Sequence, residues 1–495
     1  MKKLTAYILL IASLLSAASC GGGGDNKTPD VTTPSDTTTA ETEKLYADDL
    51  PEDLKLTGKT VTVLYRDEVG SEFFVESATG DVVDDAVYDS FRTVEDRLGV
   101  NIDVVLRPGH LVSARGEYMQ HITSTILAGD STYDWVDLMI GNAPTLMNEG
   151  IFLDLMDNKY IDLEKPYYLR GLSENCAIDG KLFFIAGDAS LGYMKSAFCM
   201  YFNQRLVDEY KLGNLYDIVD SGEWTLDKVG EIAKTAAQDT NGDGNYDMED
   251  KLGFVVHDWN FPKGLWVSTQ SRMYSKDSDG EWKLTYGSER DADICNKIYN
   301  LFFATEGSYF PNITNAYAEH LEKYNQISSK FASGEILIIT AELDDSVAQL
   351  RNMKDDYGIL PCPKGDDSQE NYYSAARNTH NSFSMPVTCA DTEAAGAVIE
   401  ALSSAKYKTV LPAYFETALK QKYARDNDSA RMYDIIRDTM TLDFGYIYGN
   451  AIGGPEYVFK SSYSKENSFS SNLASSKQSL ETALANYLEK LRESY

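Results

Sequence analysis

From residue 59 onward, segments with a two-residue apolar period alternate with segments whose apolar residues recur every three to four positions. The run 59–65 (KTVTVLY) alternates and is β-branched, which predicts a strand. Residues 84–98 carry Ala86, Val87, Phe91, Val94 and Leu98 at helical spacing, and Gly99 supplies the stop. Strand 100–106, helix 118–128 and strand 133–140 continue the alternation. A short helix then begins at Ala143, with Asn142 as its N-cap and Pro144 in its first turn. Parallel strands need a crossover, usually a helix, so this order predicts an α/β fold with parallel strands. In such sheets ligands lie beyond the carboxyl ends of the strands. That rule puts Arg66, Asp67 and Glu68, after the first strand, on one rim with Gly141 and Asn142, after the third.

The later chain repeats the mixture without an internal repeat. A hairpin and strand are expected at 180–188, and a strand at 198–202 that leads through Asn203 into helix 204–210. Thr225 caps another helix. Strands are expected at 251–256, 335–341, 357–361 and 381–388, and a helix at 391–402. At 479–491, Leu480, Leu484, Tyr487, Leu488 and Leu491 make an amphipathic terminal helix.

With 495 residues and 43% hydrophobic content, two or three domains with real cores are possible and global disorder is excluded. Lys and Arg number 45 against 77 Asp and Glu, a formal net charge of −32. That excludes a phosphate-backbone binder, so no nucleic acid is expected as partner. Among the five His no two stand at H-x-x-x-H spacing, so a helical zinc hydrolase has no support. The sequence has no G-x-S-x-G elbow, no phosphate-binding P-loop and no G-x-G-x-x-G. Carboxylates are so abundant that Glu342, Asp344 and Asp345 can be mistaken for a glycosidase pair. The expectation is a protein that is not an enzyme.

The N-terminus sets the compartment. Lys2 and Lys3 precede an apolar run from 4 to 18, shorter than the ~20 residues that span a bilayer but long enough for a secretory core. The run ends Ala17-Ala18-Ser19-Cys20, followed by four glycines. This resembles the lipobox of bacterial lipoproteins, with Ala17 where Leu is usual. The resemblance implies a signal peptide over 1–19, cleavage before Cys20, and a diacylglyceryl thioether on the Cys20 sulfur. The alternative is an ordinary signal peptide cut near the same place. Residues 20–56 are rich in Gly, Thr, Ser, Asp and Pro and read as a flexible tether. Of six cysteines, those at 176, 199, 295, 362 and 389 belong to the body. Cys176 and Cys199 could pair, but buried free thiols are the simpler reading.

One segment carries a sharp chemical pattern. Asp239, Asn241, Asp243, Gly244, Asn245, Asp247 and Asp250 fit D-x-N-x-D-G-x-x-D-x-x-D. Calcium takes six to eight oxygen ligands, and this spacing offers carboxylate, amide and backbone oxygens with a glycine at the sharp turn. Asp250 stands where the common EF-hand has a longer Glu. A strand rather than a helix follows, so the expected Ca2+ is structural. The alternative is an acidic Asx-turn loop without metal.

The order of four further segments resembles bacterial extracellular solute-binding proteins of ABC importers, of the maltodextrin-binding-like type. These are RLGVNIDVV (97–105), LAGDSTYDWVDLMIGNAPTLMNEGIFLDL (127–155), the 179–229 stretch containing DGKLFFIAG, AFCMYFNQRLVDEYKL and GEWTLDKV, and the 331–365 stretch containing FASGEILIIT and DDYGILPCPKG. The stretch 407–438 is similar to the C-terminal part of the same family. The resemblance implies a two-lobe, periplasmic-binding-protein-like fold of type II. Each lobe would be a mixed sheet flanked by helices, with a cleft between them. It implies crossings near 188–195, 373–381 and 420–438. One lobe would take 57–190 and 378–428, the other 191–377 and 429–495.

It also implies a lipid-anchored monomer on the outer face of the cell membrane. This protein would capture a carbohydrate of oligosaccharide size and deliver it to the permease. The alternatives are a surface glycan-binding lipoprotein uncoupled from import, or a glycoside-acting enzyme. The candidate ligand contacts are Arg66 and Asn142 on the rim, Asp188 and Tyr193 at the first crossing, and Trp259 after a strand. Glu342 and Asp344 follow another strand, and Tyr446 and Tyr448 lie where the family's last lobe faces its cleft. Arg66 and Asn142 also read as loop or cap residues, and Trp259 as a core residue.

Overall fold

Eleven strands occur among the described residues of the computed structural model, which are 47–257, 260–311, 317–350, 353–415, 419, 427–460, 464 and 466–495. They are β1 (Thr60–Arg66), β2 (Asn101–Arg107), β3 (Trp135–Met139), β4 (Phe198–Asn203), β5 (Leu252–Val255), β6 (Tyr274–Lys276), β7 (Trp282–Leu284), β8 (Ser308–Tyr309), β9 (Ile336–Glu342), β10 (Tyr357–Leu360) and β11 (Asn381–Ser384). Cys20, the 1–19 segment and Trp259 lie outside the described residues, as does the tether up to residue 46.

The strands make two main sheets. The first has the order β11-β3-β1-β2, with β1 parallel to both β2 and β3 and β11 antiparallel to β3. The second has the order β10-β4-β9-β5-β8, in which β5 is parallel to β8 and β9 while β4 runs antiparallel to β9 and β10. β6 and β7 form a separate antiparallel hairpin. Val63, Leu64, Tyr65 and all five residues of β3 are buried, as expected of strands covered on both faces.

Helices cover the first sheet from both ends of the sequence. Val82–Leu98 starts at Asp81, whose carboxylate accepts from the backbone N–H groups of Val83 and Asp84. It ends at Gly99 with φ 65°, a left-handed stop that glycine adopts without cost. Its buried face (Val87, Phe91, Val94, Leu98) meets the helix Thr392–Lys408. Around the second sheet, Asn203 and Thr225 cap their helices through the N–H groups of Leu206 and Lys228, as the sequence suggests.

Two expectations change. The strand and hairpin expected at 180–188 appear as isolated bridges, Ile178↔Lys181 and Ile185↔Phe383. The terminal helix is longer than its apolar pattern, running Phe469–Ser494. Its serine-rich first half is anchored at the tertiary level, where the Phe469 ring meets Tyr286 at 5.2 Å.

The β6–β7 hairpin joins an aromatic column. Trp282 stacks on Phe444 at 3.9 Å, and Phe444 stacks on Tyr448 at 4.3 Å. Trp282 Nε1 donates to the Ala177 carbonyl, and the Tyr448 hydroxyl to that of Cys176. The cysteines at 176, 199, 295, 362 and 389 are all buried free thiols.

Candidate ligand-binding site

The chain passes from the first sheet to the second between β3 and β4, and back between β10 and β11. These two passes lie side by side. Ala197 bridges Ala376, Arg377 N–H donates to the Ser196 carbonyl, and Phe198 N–H to that of Ala375. The second pass is joined in turn to the segment after helix Asn427–Asp438, where Ser374 pairs with Met440. The carboxyl ends of β1, β3 and β9 open beside this junction.

Five charged side chains gather there. After β1 the chain makes a 3-10 turn, Asp67–Glu72, and Glu72 ends it. The Lys195 Nζ stands 3.8 Å from Glu72 and 3.6 Å from Asp344, which follows β9. Arg377 pairs with Glu342, the last residue of β9. The backbone fixes these positions, because Leu191 N–H donates to the Glu72 carbonyl and Asp344 N–H to that of Lys195. Gly192 sits where any Cβ would come within 2.0 Å of Asn381 Oδ1 and 2.6 Å of a Glu72 oxygen, so only glycine permits the approach. Burial pushes the Glu72 carboxyl up to about 7 despite the Lys195 ammonium, which pulls it down. Burial also raises Asp344.

A polar rim adjoins them. Asn450 Nδ2 donates to the Gly141 carbonyl at 2.9 Å and to Asn142 Oδ1 at 3.2 Å. Gly141 N–H donates to the Asn378 carbonyl. Three asparagines from distant segments therefore share one edge. Asn142 stands in the N-cap position of helix Ala143–Met147, but its side chain makes no cap bond.

The other sequence-derived candidates turn inward. Arg66 is only 1% exposed and its guanidinium is held by Asp137, with Nε–Oδ2 at 2.6 Å, and by the Thr379 carbonyl. Asp137 also accepts from Asn381 Nδ2, so the pair ties β1, β3 and β11 together. Arg66 thus presents no face to a ligand in this conformation. Asp188 and Tyr193 are buried against each other at 2.5 Å, and burial pushes the Asp188 carboxyl up to about 7. The Tyr446 hydroxyl accepts from Asn378 N–H and donates to the Ala376 carbonyl, bracing the second pass. Tyr448 is a column residue. Trp259 lies outside the described residues. Of the named candidates, the structure brings Asn142, Glu342 and Asp344 to the junction surface, and it adds Glu72, Lys195, Arg377, Asn378 and Asn450.

The acidic loop follows the helix Leu226–Thr235, precedes β5, and is closed by the bridge Gln238↔Lys251. Asp239 accepts from the N–H groups of Gly242 and Gly244, Asn241 from Asp243, Asp243 from Asn245, Asp247 from Glu249, and Asp250 from Thr240 and Asp247. The donor set is hard oxygen, which suits calcium. Among the described residues, however, no three His, Cys, Asp or Glu are placed together so as to hold an ion.

Solved structures share this architecture. A sugar transporter from Rhizobium etli, in an open conformation, superposes with TM-score 0.56 at 14% identity, covering 88% of this chain and 99% of that one. The fold is that of two-lobe periplasmic binding proteins. The galacto-N-biose/lacto-N-biose I-binding protein of an ABC transporter from Bifidobacterium longum, in complex with lacto-N-biose, gives TM-score 0.53 at 10% identity over 87% and 97%. A maltose-binding periplasmic protein from Listeria monocytogenes, in complex with maltose, gives 0.52 at 13% over 88% and 99%. At these identities the likeness is one of fold. No family model and no curated protein matches the sequence. Among the described residues no helix is long and apolar enough to cross a membrane.

Proposed function

We propose that this chain is the solute-binding component of an ABC importer, which captures an extracellular carbohydrate between its lobes and hands it to the permease. The observation that carries this reading is the junction itself. Polar and charged side chains from both sheets and from both passes converge beside it. Each offers hydrogen bonds suited to hydroxyls. Closure follows from differential contact, because a solute touching both lobes favours the closed form. Asn142, Glu342 and Asp344 are the proposed direct contacts. Asp188, Tyr193 and Tyr446 brace the passes, and Trp259 is a proposed stacking surface.

The remaining elements of the proposal come from the sequence. Cys20 carries the lipid that holds a monomeric body at the outer face of the membrane. One lobe takes 57–190 and 378–428, and the other 191–377 and 429–495. A structural Ca2+ would take oxygens from Asp239, Asn241, Asp243, Asn245, Asp247 and Asp250.

A thermal-shift screen of the body against mono- and oligosaccharides tests the reading, with hits titrated by calorimetry. At least one carbohydrate should raise the melting temperature and bind one-to-one without being altered. A panel without any hit contradicts the proposal, and so does turnover of the sugar.

A further inference from the structure

At the junction, Lys195 faces two carboxylates at ion-pair distance. Its Nζ lies 3.8 Å from Glu72 and 3.6 Å from Asp344. Both separations allow charge attraction but exceed the usual 2.7–3.2 Å of an N–H···O hydrogen bond. One ammonium thus stands near carboxylates from two other segments. The side chains of Glu72, Lys195 and Asp344 are 15%, 29% and 36% exposed, so all three are within reach of solvent. Their backbones are tied to one another, and Gly192 keeps the space beside Glu72 free of a side chain.

Both cations of the junction already face carboxylates: Lys195 lies near Glu72 and Asp344, and Arg377 is paired with Glu342. An arriving carboxylate, phosphate or sulfate would have to compete with these for the cations. The whole chain, at −32, adds a repulsive field. A hydroxyl meets no such penalty, since it donates to a carboxylate and accepts from the ammonium at once.

We infer that Glu72, Lys195 and Asp344 form a hydroxyl-binding subsite that selects an uncharged sugar ring and rejects acidic glycans. This rests on the carbohydrate-capture reading above and narrows it to a charge class.

The test pairs neutral oligosaccharides with their uronate counterparts, such as galactotetraose with tetragalacturonate and cellotetraose with cellotetraouronate. Each pair is titrated by calorimetry against the intact body, Glu72→Gln and Asp344→Asn. In the pair that binds, the neutral member should bind at least about a hundredfold more tightly than the uronate. Each variant should lose about ten- to a hundredfold for the neutral member, as expected for a charge-assisted bond. Each variant should also discriminate less against the uronate. The ligand-free melt reports folding. Should Glu72→Gln fail to fold, the more exposed Asp344→Asn decides. Equal affinity for the two members of a pair overturns the subsite while leaving carbohydrate capture standing. Unchanged neutral affinity in a folded Asp344→Asn does the same. Failure of every glycan overturns capture itself, and the subsite with it.

Discussion

Glu400, in the helix Thr392–Lys408, accepts hydrogen bonds from the hydroxyls of Tyr167 and Tyr168 and is 1% exposed. Burial pushes its carboxyl up to about 7, against the two hydroxyls, which pull it down. The native state therefore keeps a proton that the unfolded chain releases at the ordinary carboxylate value, and stability falls as pH rises between that value and about 7. Glu400→Gln keeps the shape and removes the titration. From pH 5 to pH 8 the parent should lose on the order of 2–3 kcal/mol relative to the variant in urea unfolding. Parallel pH profiles would remove this residue from the account.

The same scale shows what the sequence conceals. Arg66 and Tyr448 stand near the places expected of ligand contacts, but sequence position says nothing about the direction of a side chain. Arg66 turns in because Asp137, on the neighbouring β3, compensates its buried charge, and that partner is seventy-one residues away. Glu72 and Lys195 lack any periodic signal, because one closes a 3-10 turn and the other lies in a pass between sheets. Lys195 does fall within the 188–195 crossing suggested by the resemblance, whereas Asn378 and Asn450 had no local cue.

At the scale of elements, most strands of four residues or more were legible and the shortest were not. β1, β2, β3, β4, β9 and the helix Val82–Leu98 match their expected bounds closely, because each is either a sustained apolar run or a regular apolar period. The strands β6, β7 and β8 span only two or three residues, too few to show a period. The acidic loop is the element with its own test. Its carboxylates accept hydrogen bonds from backbone N–H groups of the loop itself. If Ca2+ adds to that framework, millimolar Ca2+ should raise the melting temperature and EDTA should lower it, in proportion to the free-ion concentration. Superposable melts in EDTA and in excess Ca2+ would show the loop to be a set of Asx turns alone.

For the whole molecule, two sheets of mixed direction are joined by passes that lie against one another, and the charged cluster sits beside those passes. The aromatic column of Trp282, Phe444 and Tyr448 stands beside these passes. It links the hairpin β6–β7 to the Cys176–Ala177 backbone, which precedes the first pass. A ligand that touches residues carried by both sheets favours whichever arrangement lets it keep the most contacts. Small-angle scattering of the body with and without a saturating glycan hit measures this directly. The account predicts a smaller radius of gyration with ligand, reversed when the ligand is dialysed away. A bound glycan that leaves the scattering profile unchanged would contradict closure of two lobes around a captured solute.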